Sequence, residues 1–118
     1  MPERLHYLFV CYANVDRSPT AEAMCRRIAV ENGLDIEASS AGTSHGANRA
    51  VTKHMADLAD KIFVMERGML TTMLEKYGQN PAKIVCLNAP DIYERDEAEL
   101  VWTLEQKLYE YLIREGLL

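Results

Sequence analysis

The chain has 118 residues, 48% of them hydrophobic, and carries 13 Lys or Arg against 18 Asp or Glu, for a formal net charge of −5. This length and apolar content predict a single domain over residues 1–118 that buries its own core. The acidic balance disfavours nucleic acid and anionic membranes as partners, because both require a basic face.

Four apolar, β-prone segments alternate with helix-like segments along the chain. We predict strands over residues 5–10, 36–41, 61–65 and 83–87. We predict helices from Ser18, the expected N-cap before Pro19, to Gly33, and over residues 49–58, 70–77 and 97–115. Strands that alternate with helices form right-handed βαβ units. We therefore expect an α/β fold, a three-layer sandwich with a four-stranded parallel sheet in the flavodoxin-like order 2-1-3-4.

The three cysteines, Cys11, Cys25 and Cys86, form no Cys-x-x-Cys pair. An odd number without such pairs argues against a disulfide or zinc framework and fits a reducing compartment. The first four residues, Met-Pro-Glu-Arg, lack the basic and apolar pattern of a signal peptide, and no apolar run approaches membrane-spanning length. We therefore expect a cytoplasmic protein without a metal site, in which Cys25 and Cys86 serve core packing.

Cys11 and Arg17, separated by five residues, lie between the first predicted strand and the helix that follows it. A short loop that closes onto a helix start aims backbone N–H groups at one point, where the helix dipole adds about half a positive charge. Such a site binds an anion and favours the thiolate of Cys11 over its thiol. The Arg17 guanidinium offers a planar fork to two phosphate oxygens. The expected phosphate-binding residues are Tyr12, Ala13, Asn14, Val15, Asp16 and Arg17. Among them, Asn14 suits a left-handed backbone turn.

Three segments of the chain resemble the low-molecular-weight protein tyrosine phosphatases. Residues 10–22, Val-Cys-Tyr-Ala-Asn-Val-Asp-Arg-Ser-Pro-Thr-Ala-Glu, are similar to the phosphate-binding loop of that family. Residues 39–43 are similar to its second-strand signature and residues 59–65 to its third strand. After the fourth predicted strand, Pro-Asp-Ile-Tyr at residues 90–93 stands in the place of the family's Asp-Pro-Tyr motif. The chain is identified as a short, trimmed member of this superfamily.

The resemblance implies a cysteine-dependent phosphomonoester hydrolase, here a protein tyrosine phosphatase, that needs no cofactor. In that interpretation Cys11 is the nucleophile that forms a phosphocysteine, and Arg17 binds the phosphate together with the loop amides. The Ser18 hydroxyl hydrogen-bonds the Cys11 thiolate. Asp91 is the general acid and then the general base.

The implied substrate is a phosphotyrosine protein or a small aryl phosphate, and the implied ligand is phosphate or a similar oxyanion. Tyr12 and Tyr93 are the candidate substrate-lining residues, because an aromatic ring stacks on an aryl group. Tyr93 alternatively anchors its own loop. Asp91 alternatively belongs to an ordinary Pro-Asp turn, since other acidic residues such as Glu94 and Asp96 lie nearby.

Asp16 departs from the family pattern, which usually places a second cysteine just before the arginine. Without that cysteine, an oxidised Cys11 has no neighbour to capture it as a disulfide. Because a carboxylate repels a phosphate dianion, Asp16 lowers the affinity for phosphate unless its side chain points away and pairs with a base such as Arg49 or Lys53. The chain is also short over residues 43–59, which shape the active-site rim in the relatives, so substrate preference does not carry over.

Three other functions fit parts of this sequence pattern. An arsenate reductase shares this fold and loop but passes oxidation to two further cysteines, for which Cys25 and Cys86 are placed poorly. A sugar-phosphotransferase IIB-type carrier forms a phosphocysteine without a loop arginine or a separate acid. A phosphate-binding, non-catalytic interaction module would keep the loop and lose the chemistry, and Cys11 would then be a buried cysteine at the end of a strand.

Overall fold

A computed structural model describes residues 4–118. The prediction about a signal peptide rests partly on residues 1–3, which lie outside this part. The strands are β1 Leu5–Cys11, β2 Ile36–Gly42, β3 Lys61–Val64 and β4 Ile84–Cys86. The helices are α1 Arg17–Glu31, α2 Lys53–Leu58, α3 Arg67–Glu75 and α4 Ala98–Arg114, and a short 3₁₀ turn at Pro81–Lys83 precedes β4. No helix within residues 4–118 is long and apolar enough to cross a membrane.

The four strands are parallel and lie in the order β2-β1-β3-β4, as predicted. The central strand β1 pairs with β2 from Leu5 opposite Ile36 to Cys11 opposite Gly42. Right-handed crossovers in this order place α1 on one face and α2 and α3 on the other, and α4 packs beside α1. The three-layer α/β fold is therefore confirmed, and Cys11 lies at the carboxyl edge of the sheet, where ligands bind in such folds.

Aromatic rings tie β1 and β3 to α4. Phe9 and Phe63 stack with their ring centroids 4.9 Å apart. Tyr7 lies 4.9 Å from Phe63, and Tyr111 of α4 meets the same ring edge-on at 5.0 Å. Each such pair contributes about 0.5–1.5 kcal/mol beyond the area it buries. Four leucines of α4 at four-residue spacing are fully buried beside this cluster, namely Leu100, Leu104, Leu108 and Leu112.

The start of α1 differs from the prediction. The helix begins at Arg17 with Asp16 as its N-cap, so the expectation that Ser18 caps it is wrong. The Ser18 hydroxyl contacts the Cys11 sulfur instead of a backbone amide. The other end agrees with the prediction, because Gly33 has a φ of 65° and turns the chain out of the helix.

The second and third helices also have other bounds than predicted. α2 begins at Lys53 and not at Arg49, because the Thr52 side chain accepts the Met55 N–H and caps the helix there. Ala50 instead forms a bridge to the end of β2. α3 begins three residues before its predicted start and ends at Glu75.

Candidate active site

The loop between β1 and α1 has all its early carbonyl groups turned to one side. Four consecutive carbonyls accept hydrogen bonds from the segment at residues 43–48: Cys11 from Thr43 N at 3.0 Å, Tyr12 from Ser44 N at 2.9 Å, Ala13 from Asn48 N at 3.1 Å and Asn14 from Asn48 Nδ2 at 3.2 Å. Within residues 4–118, the backbone amides of residues 12, 13, 15, 16 and 17 donate to no protein acceptor. A row of such amides at a helix start binds an anion.

Asn14 holds the bend of this loop. Its φ of 55° is in the left-handed region, as the sequence predicts. Its backbone N–H points at the Cys11 sulfur at 3.2 Å. Its side-chain amide donates to the hydroxyls of Ser18 at 2.9 Å and Ser40 at 3.0 Å. The buried Asn14 side chain therefore fixes both the loop and the serine behind the cysteine.

The hydrogen bonds around Ser18 set the direction of its hydroxyl. The Ser18 oxygen accepts from Asn14 and lies 2.9 Å from the Cys11 sulfur. With one lone pair used by Asn14, the Ser18 hydrogen has two acceptors within reach, the Cys11 sulfur at 2.9 Å and the Ala41 carbonyl oxygen at 3.4 Å. The sulfur is the nearer one and is a strong acceptor as a thiolate. Ser40 donates in turn to Glu22, whose other oxygen pairs with Arg26 at 2.9 Å. The Ser18 hydroxyl and the Asn14 N–H therefore both lie within hydrogen-bond distance of the Cys11 sulfur.

Arg17 is the most enclosed charged group of the site, with 2% of its surface exposed. Its Nη1 donates to the Ala89 carbonyl oxygen at 2.9 Å and lies 3.1 Å from Glu66 Oε1. Its Nε lies 3.7 Å from Asp91 Oδ1. Glu66 follows β3 and Ala89 follows β4, and both contact the guanidinium of Arg17, which follows β1. They meet because parallel strands bring their carboxyl ends to one edge of the sheet.

A small pocket opens at the carboxyl edge of the sheet. Its lining consists of Cys11, Tyr12, Ala13, Val15, Asp16, Arg17 and Asp91. The structure therefore brings the predicted nucleophile, the predicted phosphate clamp and the predicted acid to one cavity. Asn14 and Ser18 lie behind its wall.

The two predicted substrate-lining tyrosines differ in position. Tyr12 lines the pocket and is 60% exposed, so its ring is available to a ligand. Tyr93 is half-buried, packs against the hydrophobic core and is not part of the pocket lining. In this structure Tyr93 corresponds to the alternative that the sequence left open, an anchor for its own loop.

Asp16 has another partner than predicted. Its Oδ1 accepts the backbone N–H of Arg95 at 2.8 Å. This partner is neither Arg49 nor Lys53, the bases that the sequence suggested, and Lys53 instead pairs with Asp57. The carboxylate of Asp16 is thus engaged with the loop that carries Asp91.

The two other cysteines differ from Cys11 in their surroundings. Cys25 is buried in the core, and this burial raises its pKa to about 12. It therefore remains a thiol at neutral pH. Cys86 is half-buried on β4 and contacts Asn88 Oδ1 at 3.2 Å.

Gly42, at the end of β2, is expected to tolerate no side chain. A Cβ there would lie 2.6 Å from the Tyr12 carbonyl oxygen and 3.0 Å from the Asn14 nitrogen, both backbone atoms of the phosphate loop. Gly42→Ala should lower the free energy of unfolding by about 1–3 kcal/mol and weaken phosphate binding. Chemical denaturation and phosphate inhibition measure the two effects. Gly68→Ala is the control, because a Cβ there meets nothing within 4 Å; equal behaviour of both variants would contradict the role of Gly42.

The site geometry agrees with a comparison of the whole chain with known families. A family model described as low molecular weight phosphotyrosine protein phosphatase matches residues 6–92. The chain belongs to this family. The match extends from β1 to the loop after β4 and so includes Cys11, Arg17 and Asp91.

Relatives within and around the low molecular weight phosphatase family cover the chain to different extents. A protein-arginine-phosphatase of Bacillus subtilis is 40% identical over 50 residues, which are 42% of this chain and 33% of that protein. The match thus spans about a third of that relative's length. The low molecular weight protein tyrosine phosphatase of T. tengcongensis superposes with a TM-score of 0.76 at 21% identity, covering 94% of this chain and 99% of that one. The tyrosine phosphatase Wzb of Escherichia coli K30, solved in complex with phosphate, gives 0.73 at 20% identity, with 95% and 99% covered.

Sequence reasoning missed three contributors to this phosphatase-family site. Glu66 contacts Arg17, and its signal was its place two residues after the end of β3, at the edge where strand ends converge. The Ser40 hydroxyl accepts a hydrogen bond from the Asn14 side-chain amide, whereas the sequence indicates its segment only as a family signature. Backbone amides in the segment at residues 43–48 donate hydrogen bonds to the carbonyl groups of the loop. Backbone hydrogen bonds do not require a particular residue type, so the sequence does not indicate them.

Proposed function

We propose that this chain hydrolyses phosphate monoesters of tyrosine side chains in proteins, or small aryl phosphates, through a phosphocysteine on Cys11. The observation that carries the proposal is the meeting of Cys11, Arg17 and Asp91 in one pocket whose loop amides are unengaged by protein acceptors within residues 4–118. Family membership supports the reaction class, since the family is named for phosphotyrosine protein phosphatases.

In the first step the Cys11 thiolate attacks phosphorus, and an S–P bond forms as the P–O bond to the leaving group breaks. Asp91 donates a proton to the departing oxygen. Its carboxylate lies 3.7 Å from the Arg17 Nε and lines the same pocket as Cys11, which supports this role. The loop amides and the Arg17 fork hold the equatorial oxygens, where charge must be stabilised in the transition state.

In the second step water attacks the phosphocysteine. The Asp91 carboxylate takes a proton from that water, the S–P bond breaks and inorganic phosphate forms. The departing thiolate accepts hydrogen bonds from the Ser18 hydroxyl and the Asn14 N–H, which makes it a better leaving group. No cofactor enters either step. A cytoplasmic location, expected from the sequence, belongs to the same proposal.

Two alternatives have less support. An arsenate reductase relay needs two further reactive thiols, whereas Cys25 is buried with its pKa raised to about 12. A phosphate-binding module without chemistry does not need an acid in the pocket, and Asp91 lines it.

Phosphoarginine in proteins is a second candidate substrate, because the matched relative from B. subtilis is named a protein-arginine-phosphatase. The exposed Val15 side chain at the pocket favours an aryl group over a guanidinium through apolar contact, whereas the Tyr12 ring can stack on either group.

Two peptides of identical flanking sequence, one with phosphotyrosine and one with phosphoarginine, separate these substrates. We expect kcat/KM to be about tenfold or more higher for phosphotyrosine. A higher kcat/KM for the phosphoarginine peptide would show that phosphoarginine is the better substrate. The absence of turnover on both peptides and on p-nitrophenyl phosphate would refute the proposed phosphatase activity.

A further inference from the structure

The loop that carries Asp91 has one apolar anchor, Tyr93, which packs against the hydrophobic core. It connects β4 to α4, and residues 90–97 are exposed except for the half-buried Tyr93. Asp91 and Ile92 are 60% and 74% exposed. Because few buried contacts hold such a segment, the position of its acid depends on polar contacts at its ends.

Both ends of this loop are tied to the first turn of α1. At the near end, Arg17 donates to the Ala89 carbonyl oxygen at 2.9 Å. At the far end, two successive backbone amides donate to side chains of the helix: Arg95 N to Asp16 Oδ1 at 2.8 Å and Asp96 N to Thr20 Oγ1 at 2.9 Å. The turn that ends the phosphate loop therefore also holds the loop of the acid.

The chemistry of Asp16 suits this contact. A carboxylate accepts an amide hydrogen bond with charge assistance, which makes the bond roughly twice as strong as a neutral one, whereas a thiol is a weak acceptor. Although Asp16 is the N-cap of α1, its side chain makes no capping bond to that helix. Its acceptor is thus committed to the loop of Asp91.

Thr20 and Asp96 complete the attachment. Thr20 is 1% exposed, and its side chain lies between α1 and the loop that carries Asp91. Asp96 has a φ of 60°, a conformation that costs an ordinary residue on the order of 1 kcal/mol. The bond from Asp96 N to Thr20, together with the weaker return contact from Thr20 Oγ1 to Asp96 Oδ1 at 3.4 Å, holds the backbone in that conformation.

We propose that Asp16 and Thr20 form a latch that positions the general acid Asp91 over the phosphate pocket. The latch rests on the proposed function, because it acts through Asp91 and does not itself touch the leaving group. Asp16 and Thr20 are positioning residues in this scheme. Asp16 stands where the family usually has a cysteine. The chain therefore lacks a redox partner for Cys11 at this position and has a carboxylate that holds the loop of Asp91.

The test compares Asp16→Ala with Asp16→Asn, which keeps an acceptor oxygen and removes the charge. Thr20→Val breaks the second bond with a side chain of similar shape. The kinetic measure is kcat/KM, because it contains the step in which the leaving group departs. Asp60→Ala is the matched control, since Asp60 also accepts a backbone N–H, that of His6 at 2.7 Å, at the opposite edge of the sheet.

For Asp16→Ala we expect kcat/KM to fall about tenfold for phenyl phosphate and less than about threefold for p-nitrophenyl phosphate, whose leaving group needs no proton. Inhibition by inorganic phosphate should not weaken, because the loop amides and Arg17 stay in place and the substitution removes a negative charge beside the pocket. Asp16→Asn should recover most of the loss. Thr20→Val should give a smaller loss with the same leaving-group dependence, and Asp60→Ala should show none.

A second measurement does not depend on activity. Hydrogen exchange at the Arg95 amide, followed by NMR, should be about tenfold or more faster in Asp16→Ala than in the wild type, and near wild type in Asp16→Asn. Equal kinetic losses for both substrates, loss of phosphate binding, or unchanged exchange would overturn the latch. An inactive wild-type protein with the expected exchange pattern would instead refute the proposed function and leave the attachment of the loop established.

Discussion

Cys11→Ser is expected to lower kcat for p-nitrophenyl phosphate by about 10⁴-fold or more, because a serine hydroxyl is a far weaker nucleophile than a thiolate. Phosphate binding should persist, since the amides of residues 12, 13, 15, 16 and 17 and the Arg17 guanidinium remain in place. Steady-state kinetics measures the first effect and calorimetry with inorganic phosphate or tungstate the second.

Cys86→Ser is the matched control for this variant. It makes the same exchange of sulfur for oxygen at a half-buried position on β4, outside the pocket lining. Its kcat should remain within about twofold of the wild type. Continued turnover by Cys11→Ser at a comparable rate would exclude Cys11 as the nucleophile.

Asp91→Ala should reduce kcat/KM in proportion to the leaving group's need for a proton. For phenyl phosphate or an alkyl phosphate we expect a loss of about 10²-fold or more, the usual contribution of a general acid. For p-nitrophenyl phosphate the loss in kcat/KM should be less than about tenfold, because nitrophenolate departs without protonation. The second step should slow for every substrate, since the same carboxylate activates water.

Glu94→Ala is the control for the acid, because Glu94 is an exposed carboxylate three residues further along the same loop. It should leave both values of kcat/KM unchanged. Equal losses for phenyl and p-nitrophenyl phosphate in Asp91→Ala would remove Asp91 from the acid role, and a leaving-group effect in Glu94→Ala would transfer that role.

The fold followed from the sequence because each strand carries its own signal. The apolar stretch Tyr7–Val10 is buried on both faces of a parallel sheet, which is the environment that such a run predicts. Helix starts were less predictable, since they depend on which side chain is free to cap. Ser18 has the residue type of an N-cap, yet its hydroxyl lies 2.9 Å from the Cys11 sulfur and the helix starts one residue earlier.

The parts of the site within one short segment were also accessible from sequence. Cys11 and Arg17 line one pocket, and Asn14 has the left-handed backbone that its type allows. Contacts across long sequence separations were not accessible. The partner of Asp16 is a backbone amide 79 residues away, and an amide has no residue type that a pattern could identify. The carboxylate of Glu66 beside Arg17 likewise emerges only when β3 and β1 pair.

Rapid-quench kinetics with p-nitrophenyl phosphate tests the phosphocysteine most directly. We predict a burst of about one nitrophenolate per active site, together with a phosphoryl group on the peptide that contains Cys11 after alkaline quench and mass spectrometry. Steady turnover with no burst and no phosphorylated Cys11 would contradict catalysis through this residue.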